Sequence, residues 1–99
     1  MATNTELEAI CEISLKSPKK YKVLLLNDDY TSMEFVIDVL VRIFHKNFQE
    51  AEVIMLQVHE SGKGVCGIYT HEIAETKIAQ VHQRARDNGF PLRAQMEEE

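Results

Sequence analysis

The chain has 99 residues, enough for one domain with a single modest hydrophobic core. Its hydrophobic fraction of 44% and its charged fraction of 27% are typical of a globular protein. Sixteen acidic residues against eleven basic ones give a formal net charge of −5, which argues against a nucleic acid partner held through phosphate contacts. The same balance suits a cationic ligand or a basic protein surface.

The composition also bears on compartment and on metal chemistry. No apolar run approaches the roughly 18 residues of a membrane span, and the N-terminus lacks the basic and apolar regions of a signal peptide. The two cysteines, Cys11 and Cys66, are far apart and form no C-x-x-C motif, so neither a disulfide framework nor a cysteine zinc site is indicated. We therefore expect a cytoplasmic protein with no metal, no cofactor, and no nucleic acid or membrane partner.

The first half of the chain predicts a tail, a strand and a helix. Residues 1–20 have mixed polarity and end in Ser-Pro-Lys-Lys, a boundary signal, so we expect a flexible tail before a core domain at residues 21–99. Residues 21–27 contain the apolar run of a buried strand. Thr31 and Glu34 have the spacing of a capping box, and apolar residues at helical spacing predict a helix over residues 33–44.

The second half predicts two more helices and two more strands. Asn47 and Glu50 have the spacing of a second helix cap, with the helix continuing to about residue 60. A turn at residues 61–64 leads to a strand over residues 65–69. A third helix follows Thr70, and it is expected to stop at residues 88–89, where Asn-Gly favours a left-handed cap. A short strand is predicted over residues 92–96.

The predicted order is therefore β-α-α-β-α-β. Three strands form too small a sheet for helices to cover both faces. We expect an α+β fold with three helices packed on one face of the sheet.

Polar side chains are concentrated where the first strand ends. Asn27, Asp28 and Asp29 follow the apolar run directly, and burying such groups is unfavourable unless something pairs with them. All three can accept hydrogen bonds and two are anionic, so they suit a small cation with several N–H donors. Asn and Asp are also common in solvated turns, and a strand-to-helix turn is the simpler interpretation of this segment alone.

A second segment favours the binding interpretation. Met55, Val58 and His59 stand at i, i+3 and i+4 and would share one helix face. Asn27, Asp29 and neutral His59 would supply three acceptors to a small cation of this kind. Residues 27 and 29 would project together from an extended chain, with Asp28 pointing elsewhere.

These motifs together resemble one family. Asn-Asp-Asp-Tyr-Thr-x-Met-Glu-Phe-Val at residues 27–36 is followed by Met-x-x-Val-His at residues 55–59, Cys-Gly-Ile-Tyr-Thr at residues 66–70, Ala-Glu-Thr-Lys at residues 74–77 and Pro-Leu at residues 91–92. In this order and register they resemble ClpS, the bacterial adaptor of the Clp ATPase–protease, over residues 21–96. The resemblance implies a three-stranded antiparallel sheet with three helices.

The resemblance also implies a function and a set of site residues. A ClpS adaptor is not an enzyme: it binds N-degron proteins, which begin with Phe, Tyr, Trp or Leu, and delivers them to the Clp AAA+ ATPase. The matching positions for the substrate α-amine are Asn27, Asp28, Asp29 and His59. Those of the hydrophobic pocket are Leu25, Leu26, Thr31, Met33, Val36, Met55, Val58 and Leu92. Glu72 and Lys77 match positions that contact the N-terminal domain of the ATPase, and the tail is expected to engage the ATPase as well.

Two other interpretations remain open. The first is a protein-interaction module of the same general fold, like the C-terminal domain of the ribosomal stalk protein. The second is an enzyme with Cys66 as a thiol nucleophile and His59 or His71 as its base. A dinucleotide site is disfavoured, because the G-x-G-x-x-G at residues 62–67 precedes a strand, whereas the fingerprint requires a following helix.

Overall fold

The computed structural model describes residues 18–99, and the predictions for residues 1–17 lie outside this range. Three strands and three helices follow one another as β1 (Lys20–Leu26), α1 (Met33–Arg42), α2 (Phe48–Ser61), β2 (Lys63–Thr70), α3 (His71–Asn88) and β3 (Arg93–Glu98). The predicted element order and α+β class are confirmed. Lys20, which the sequence assigned to the tail, belongs to β1.

The sheet has the order β2-β1-β3, and both neighbours of the central strand run antiparallel to it. Val23, Leu24 and Leu25 of β1 are buried, as expected for the strand that is paired on both sides. β2 carries an irregularity opposite Val23 and Leu24, where one extra residue enters the pairing. The central position of β1 fixes where its C-terminal end, and therefore the polar segment after it, lies in the molecule.

The helices pack on one face of this sheet, as predicted. Val23 and Leu25 project into a core formed with the apolar faces of the helices. Fully burying an aliphatic side chain of this kind contributes about 1.5–3 kcal/mol relative to leaving it exposed. The buried residues contributed by the helices and their connections are Phe35, Val36, Val39, Leu40, Ile43, Phe44, Ala51, Met55, Val58, Ala74, Val81, Ala85 and Leu92.

The first helix begins at Met33 as predicted, but its cap is one residue later than the capping box required. Ser32 is the N-cap of α1, and its hydroxyl accepts a hydrogen bond from the Phe35 amide at 3.1 Å. Thr31 is not the cap because its own hydroxyl donates to the Asp28 carboxylate at 2.7 Å. The predicted second cap is confirmed: the Asn47 side chain accepts from the Glu50 amide at 2.8 Å.

Two glycines end the longer helices. Gly62 (φ 88°) caps α2 and Gly89 (φ 76°) caps α3, both in the left-handed conformation that glycine adopts without steric cost. The predicted stop of the third helix at residues 88–89 is confirmed. Thr70 occupies the N-cap position of α3, but its side chain makes no capping hydrogen bond. No helix within residues 18–99 has the length and apolarity needed to cross a membrane.

Candidate functional site

A cavity of about 250 Å³ lies at the C-terminal end of β1, where α1 begins and α2 ends. One side of its lining is polar and the other is apolar. It is lined by Asn27, Asp28, Asp29, Thr31, Met33, Val36, Met55, Val58 and His59. Each of these is a residue that the sequence analysis assigned to the binding site, so the structure brings the two separate motifs together around one cavity.

A single backbone contact joins the two halves of the cavity. The Asn27 amide donates to the carbonyl of Gly62 at 2.8 Å, which extends the β1–β2 pairing by one residue beyond the strands. Gly62 is the C-cap of α2, and His59 lies in the last turn of that helix. The sheet register therefore places Asn27 beside the helix end that carries His59.

Asp28 organises the loop that precedes α1. Its Oδ1 accepts from the amides of Tyr30 at 2.8 Å and Thr31 at 2.7 Å, and its Oδ2 accepts from the Thr31 hydroxyl at 2.7 Å. Partial burial acts to raise the pKa of Asp28, but these hydrogen bonds outweigh it and lower the pKa below its usual value. The loop is thus held around an ionised carboxylate that faces the cavity.

The strand ends at Leu26, so residues 27–29 do not alternate as strand residues do. The prediction that Asp28 points away from Asn27 and Asp29 is therefore wrong. Asp28 faces the cavity as well, although three of its roughly four acceptor positions are used within the loop. The side chains of Asn27, Asp29 and His59 have no hydrogen-bond partner within residues 18–99, and all three residues are exposed. They are the acceptors that remain available to a ligand.

The apolar half of the cavity comes from two helices. Val36, Met55 and Val58 are buried, and Met33, in the first turn of α1, is 46% exposed. Met33 and Val36 are three residues apart, as are Met55 and Val58, so each pair lies on one helix face. The arrangement is an apolar wall with a methionine at its outer side, next to a cluster of unpaired acceptors.

Three predicted pocket residues do not line this cavity. Leu25 is fully buried in the core beneath the helices, and Leu26, half-buried, is the last residue of β1. Leu92 is buried and lines a different cavity. Their assigned role in binding a side chain remains a prediction.

The sequence matches one protein family over most of its length. The model of that family, described as ATP-dependent Clp protease adaptor protein ClpS, matches residues 16–95. The chain belongs to the ClpS family.

Relatives within the ClpS family are close in sequence and length. The ATP-dependent Clp protease adapter protein ClpS of Oleidesulfovibrio alaskensis is 56% identical over 98 residues, covering 99% of this chain and 94% of the relative. The protein of the same name from Wolinella succinogenes is 55% identical over 93 residues, covering 94% and 91%. The chain therefore belongs to a family of Clp protease adaptors.

A solved structure agrees with the fold. Agrobacterium tumefaciens ClpS2, bound to L-phenylalaninamide, superposes with a TM-score of 0.81 at 40% sequence identity, covering 84% of this chain and all of the other. The three-stranded antiparallel sheet with three helices is thus a ClpS fold.

The residues that resemble ATPase contacts lie on α3. Glu72 is exposed in the first turn of the helix. Lys77 is half-buried, because its ammonium donates to the Ile43 carbonyl at 2.6 Å and lies 5.9 Å from the centre of the Tyr69 ring. Lys77 therefore has contacts within the molecule that its spacing in the sequence did not indicate, and the ATPase-contact role of both residues remains a prediction.

The proposed thiol nucleophile lies in an unsuitable environment. Cys66 is fully buried on β2 and donates to the Gly64 carbonyl at 3.8 Å. Burial raises the pKa of Cys66 to about 12, so the reactive thiolate would be scarce near neutral pH. Within residues 18–99, no cluster of three or more His, Cys, Asp or Glu side chains could hold a metal ion.

One further group of residues has no counterpart in the sequence predictions. Arg86 and Arg93 both line a second cavity, although a turn separates them along the chain. No motif or spacing links the end of a helix to the start of the following strand in this way, so only the tertiary structure brings the two arginines together.

Proposed function

We propose that this ClpS-family protein binds substrates through a free N-terminal α-amine and a bulky hydrophobic first side chain, and delivers them to the Clp AAA+ ATPase. The first residues expected are Phe, Tyr, Trp and Leu. The observation that carries the proposal is the cavity in which acceptors without a partner in residues 18–99 lie next to an apolar wall. The binding of L-phenylalaninamide by Agrobacterium tumefaciens ClpS2 supports it, since that molecule combines an α-amine with a benzyl side chain.

The acceptors match the chemistry of an α-ammonium. The group has three N–H donors and one positive charge, and the side chains of Asn27, Asp29 and His59 offer an amide oxygen, a carboxylate and a ring nitrogen. Hydrogen bonds to a charged group contribute about 1.5–3 kcal/mol each. The negative charge of Asp28 also attracts the ammonium, while the hydrogen bonds that this carboxylate accepts within the loop stay in place.

The apolar wall matches the first side chain. Val36, Met55 and Val58 present aliphatic and thioether surface to the cavity, and methionine adapts to guests of different shape because its side chain is unbranched. Burying one large apolar side chain contributes about 1.5–3 kcal/mol. Together with the ammonium contacts, this leads us to expect a binding free energy of about −8 kcal/mol, a Kd of about 1 μM, for a short peptide.

Delivery requires a second surface. The N-terminal domain of the ATPase is the proposed partner, with Glu72 as a contact on α3 and residues 1–20 as a further element that engages the ATPase. The adaptor itself would contribute recognition only, and ATP hydrolysis and proteolysis would be supplied by the partner.

The proposal is tested by titrating the protein with a short fluorescent peptide that begins with Phe. A matched peptide with an acetylated α-amine keeps the side chain but loses the charge and most of the donors. We expect binding of the free peptide and loss of binding on acetylation. If the acetylated peptide binds within about threefold of the free one, corresponding to less than about 0.7 kcal/mol, the α-amine assignment is wrong.

A further inference from the structure

A second cavity, of about 230 Å³, lies where α3 ends and β3 begins. Its apolar lining comes from Ala85, Phe90, Pro91 and Leu92, and its polar lining comes from His82, Arg86 and Arg93. These residues come from both sides of the Gly89 turn, so the way in which α3 ends determines the shape of the cavity. We call this cavity the arginine cleft.

The two arginines carry positive charge and have no carboxylate partner in the described part of the chain. Within residues 18–99 neither guanidinium lies within ion-pair distance of a carboxylate. Arg86 donates to the neutral Gln83 side chain at 3.1 Å. Both residues are exposed, and a chain with a net charge of −5 thus presents a local cationic site beside apolar surface.

The arginine cleft is close to the amine-binding cavity. Arg93 is the cross-strand partner of Leu26, the residue directly before Asn27, so their Cα atoms are about 5 Å apart. From the other side, the Phe90 ring packs against Phe35 of α1 with centroids 4.7 Å apart, and Phe35 precedes the cavity residue Val36. The two cavities therefore flank the same end of the sheet.

We propose that the arginine cleft binds an acidic side chain of the substrate, located three to six residues into the polypeptide whose α-amine is held at Asn27, Asp29 and His59. An extended chain advances about 3.3–3.6 Å per residue, so the third to sixth residues of an extended substrate lie roughly 7–18 Å from the first. This inference rests on the proposed function, because it needs the first residue to be anchored.

The chemistry of the cleft suits a carboxylate. A guanidinium can bind a carboxylate through two parallel hydrogen bonds, and the apolar lining residues can cover the methylene stem of a glutamate. The acidic loop at residues 27–29 repels the same carboxylate, so an acidic residue should be favoured only once the chain has moved away from that loop. The result is a preference for acidic residues that depends on their distance from the first residue.

All peptides in the experiment begin with Phe. They differ only at residues three to six, where one set carries Glu and the other set carries Gln. They are titrated against the wild-type protein, the double variant Arg86→Gln/Arg93→Gln, and the control Arg42→Gln. Arg42 is an exposed arginine on α1 that forms an ion pair with Asp38 at 2.6 Å and does not line the cleft. Circular dichroism establishes that each variant is folded.

The wild-type protein and Arg42→Gln should bind the Glu peptides about fivefold more tightly than the Gln peptides, the scale of one or two partly exposed ion pairs. The double variant should bind both sets equally, with the Gln peptides unchanged. About 0.5 M salt should reduce the preference in the wild-type protein.

Two results would overturn the inference while leaving the proposed function intact. One is equal binding of Glu and Gln peptides to the wild-type protein, and the other is a Glu preference that survives in the double variant. If none of the Phe peptides binds, the proposed function fails and this inference fails with it.

Discussion

The Lys77 ammonium donates a hydrogen bond to the backbone carbonyl of Ile43 at 2.6 Å. Ile43 is the C-cap of α1, where carbonyls lack helical partners and the helix dipole is negative, so a cation is favoured there. The same ammonium lies above the Tyr69 ring of β2. One side chain of α3 thus connects the end of α1 to an edge strand of the sheet.

Replacing Lys77 with Met should therefore destabilise the fold. The variant keeps most of the apolar stem but leaves the Ile43 carbonyl without its donor, and we expect a loss of about 1–2 kcal/mol in the free energy of unfolding. Urea denaturation followed by circular dichroism measures it. The control is Lys63→Met, which removes an exposed lysine paired with Glu97 at 3.5 Å and should cost less than about 1 kcal/mol.

Equal stability of the two lysine variants would show that the Lys77 contact contributes little to the fold. A Lys77→Met protein that is destabilised but still binds the ATPase normally would mean that this lysine serves the fold rather than the partner.

Asp29→Ala and His59→Ala should each weaken binding of a Phe-initiated peptide by more than about tenfold, or roughly 1.4 kcal/mol. Each change removes one acceptor from the polar side of the cavity, and both side chains are exposed, so stability should change little. His71→Ala is the matched control, since His71 is an exposed histidine on α3 outside the cavity. Wild-type affinity in the two site variants would exclude these side chains from the amine site.

Met33 is expected to select among first residues. It lies at the outer side of the apolar wall, where a β-branched side chain would carry bulk close to its own ammonium and could not turn away. Ile and Val should therefore bind worse than Leu and Phe. Met33→Ala should improve binding of Ile and Val peptides by about 1 kcal/mol or more, because the steric conflict is removed.

A panel of peptides that differ only in the first residue, titrated against both proteins, measures this selection. Leu and Phe peptides serve as internal controls and should lose only modest affinity in Met33→Ala. An unchanged ranking in the variant would show that Met33 is not the selective element.

Stability should also depend on pH through His82. Its Nε2 accepts from the Ala94 amide at 3.0 Å, which requires the neutral ring, and burial together with the nearby Arg93 charge lowers the pKa of the imidazole from 6.5. The unfolded chain therefore binds a proton more readily than the folded one. The contribution of His82 to stability is therefore complete above about pH 6.5 and is lost as the pH drops from there to the lower pKa of the folded state.

Urea unfolding at about pH 7.5 and about pH 5, which bracket the usual histidine pKa, tests this dependence. His82→Gln is the informative variant, because its side-chain oxygen can accept from Ala94 but does not titrate. Its loss of stability on acidification should be smaller than that of the wild-type protein. An identical loss in both would assign the pH dependence to other groups.

The elements that were predicted correctly are those with a strong local signal. The apolar run of β1, the Asn47 cap and the Gly89 stop depend on neighbouring residues only. The cap of α1 was misassigned because Thr31 and Ser32 both carry hydroxyls, and a contact with Asp28 determines which of them is free to cap the helix.

The candidate site was predictable in part for the same reason. His59 and Met55 share a helix face that can be read from their spacing, whereas the position of Leu92 depends on how β3 enters the sheet. That residue lines the arginine cleft instead. The cleft itself forms where the end of α3 lies beside the start of β3, and no local sequence pattern predicts this arrangement.

The hydrogen bond from the Asn27 amide to the Gly62 carbonyl gives the candidate site a kinetic property as well as a shape. Because this bond is the last rung of the β1–β2 ladder, opening that end of the ladder separates Asn27 from the helix end that carries His59. Hydrogen–deuterium exchange at the Asn27 amide therefore reports how often the site comes apart. A ligand that bridges the two sides should slow exchange there more than at the opposite end of the same ladder, where Lys20 pairs with Thr70.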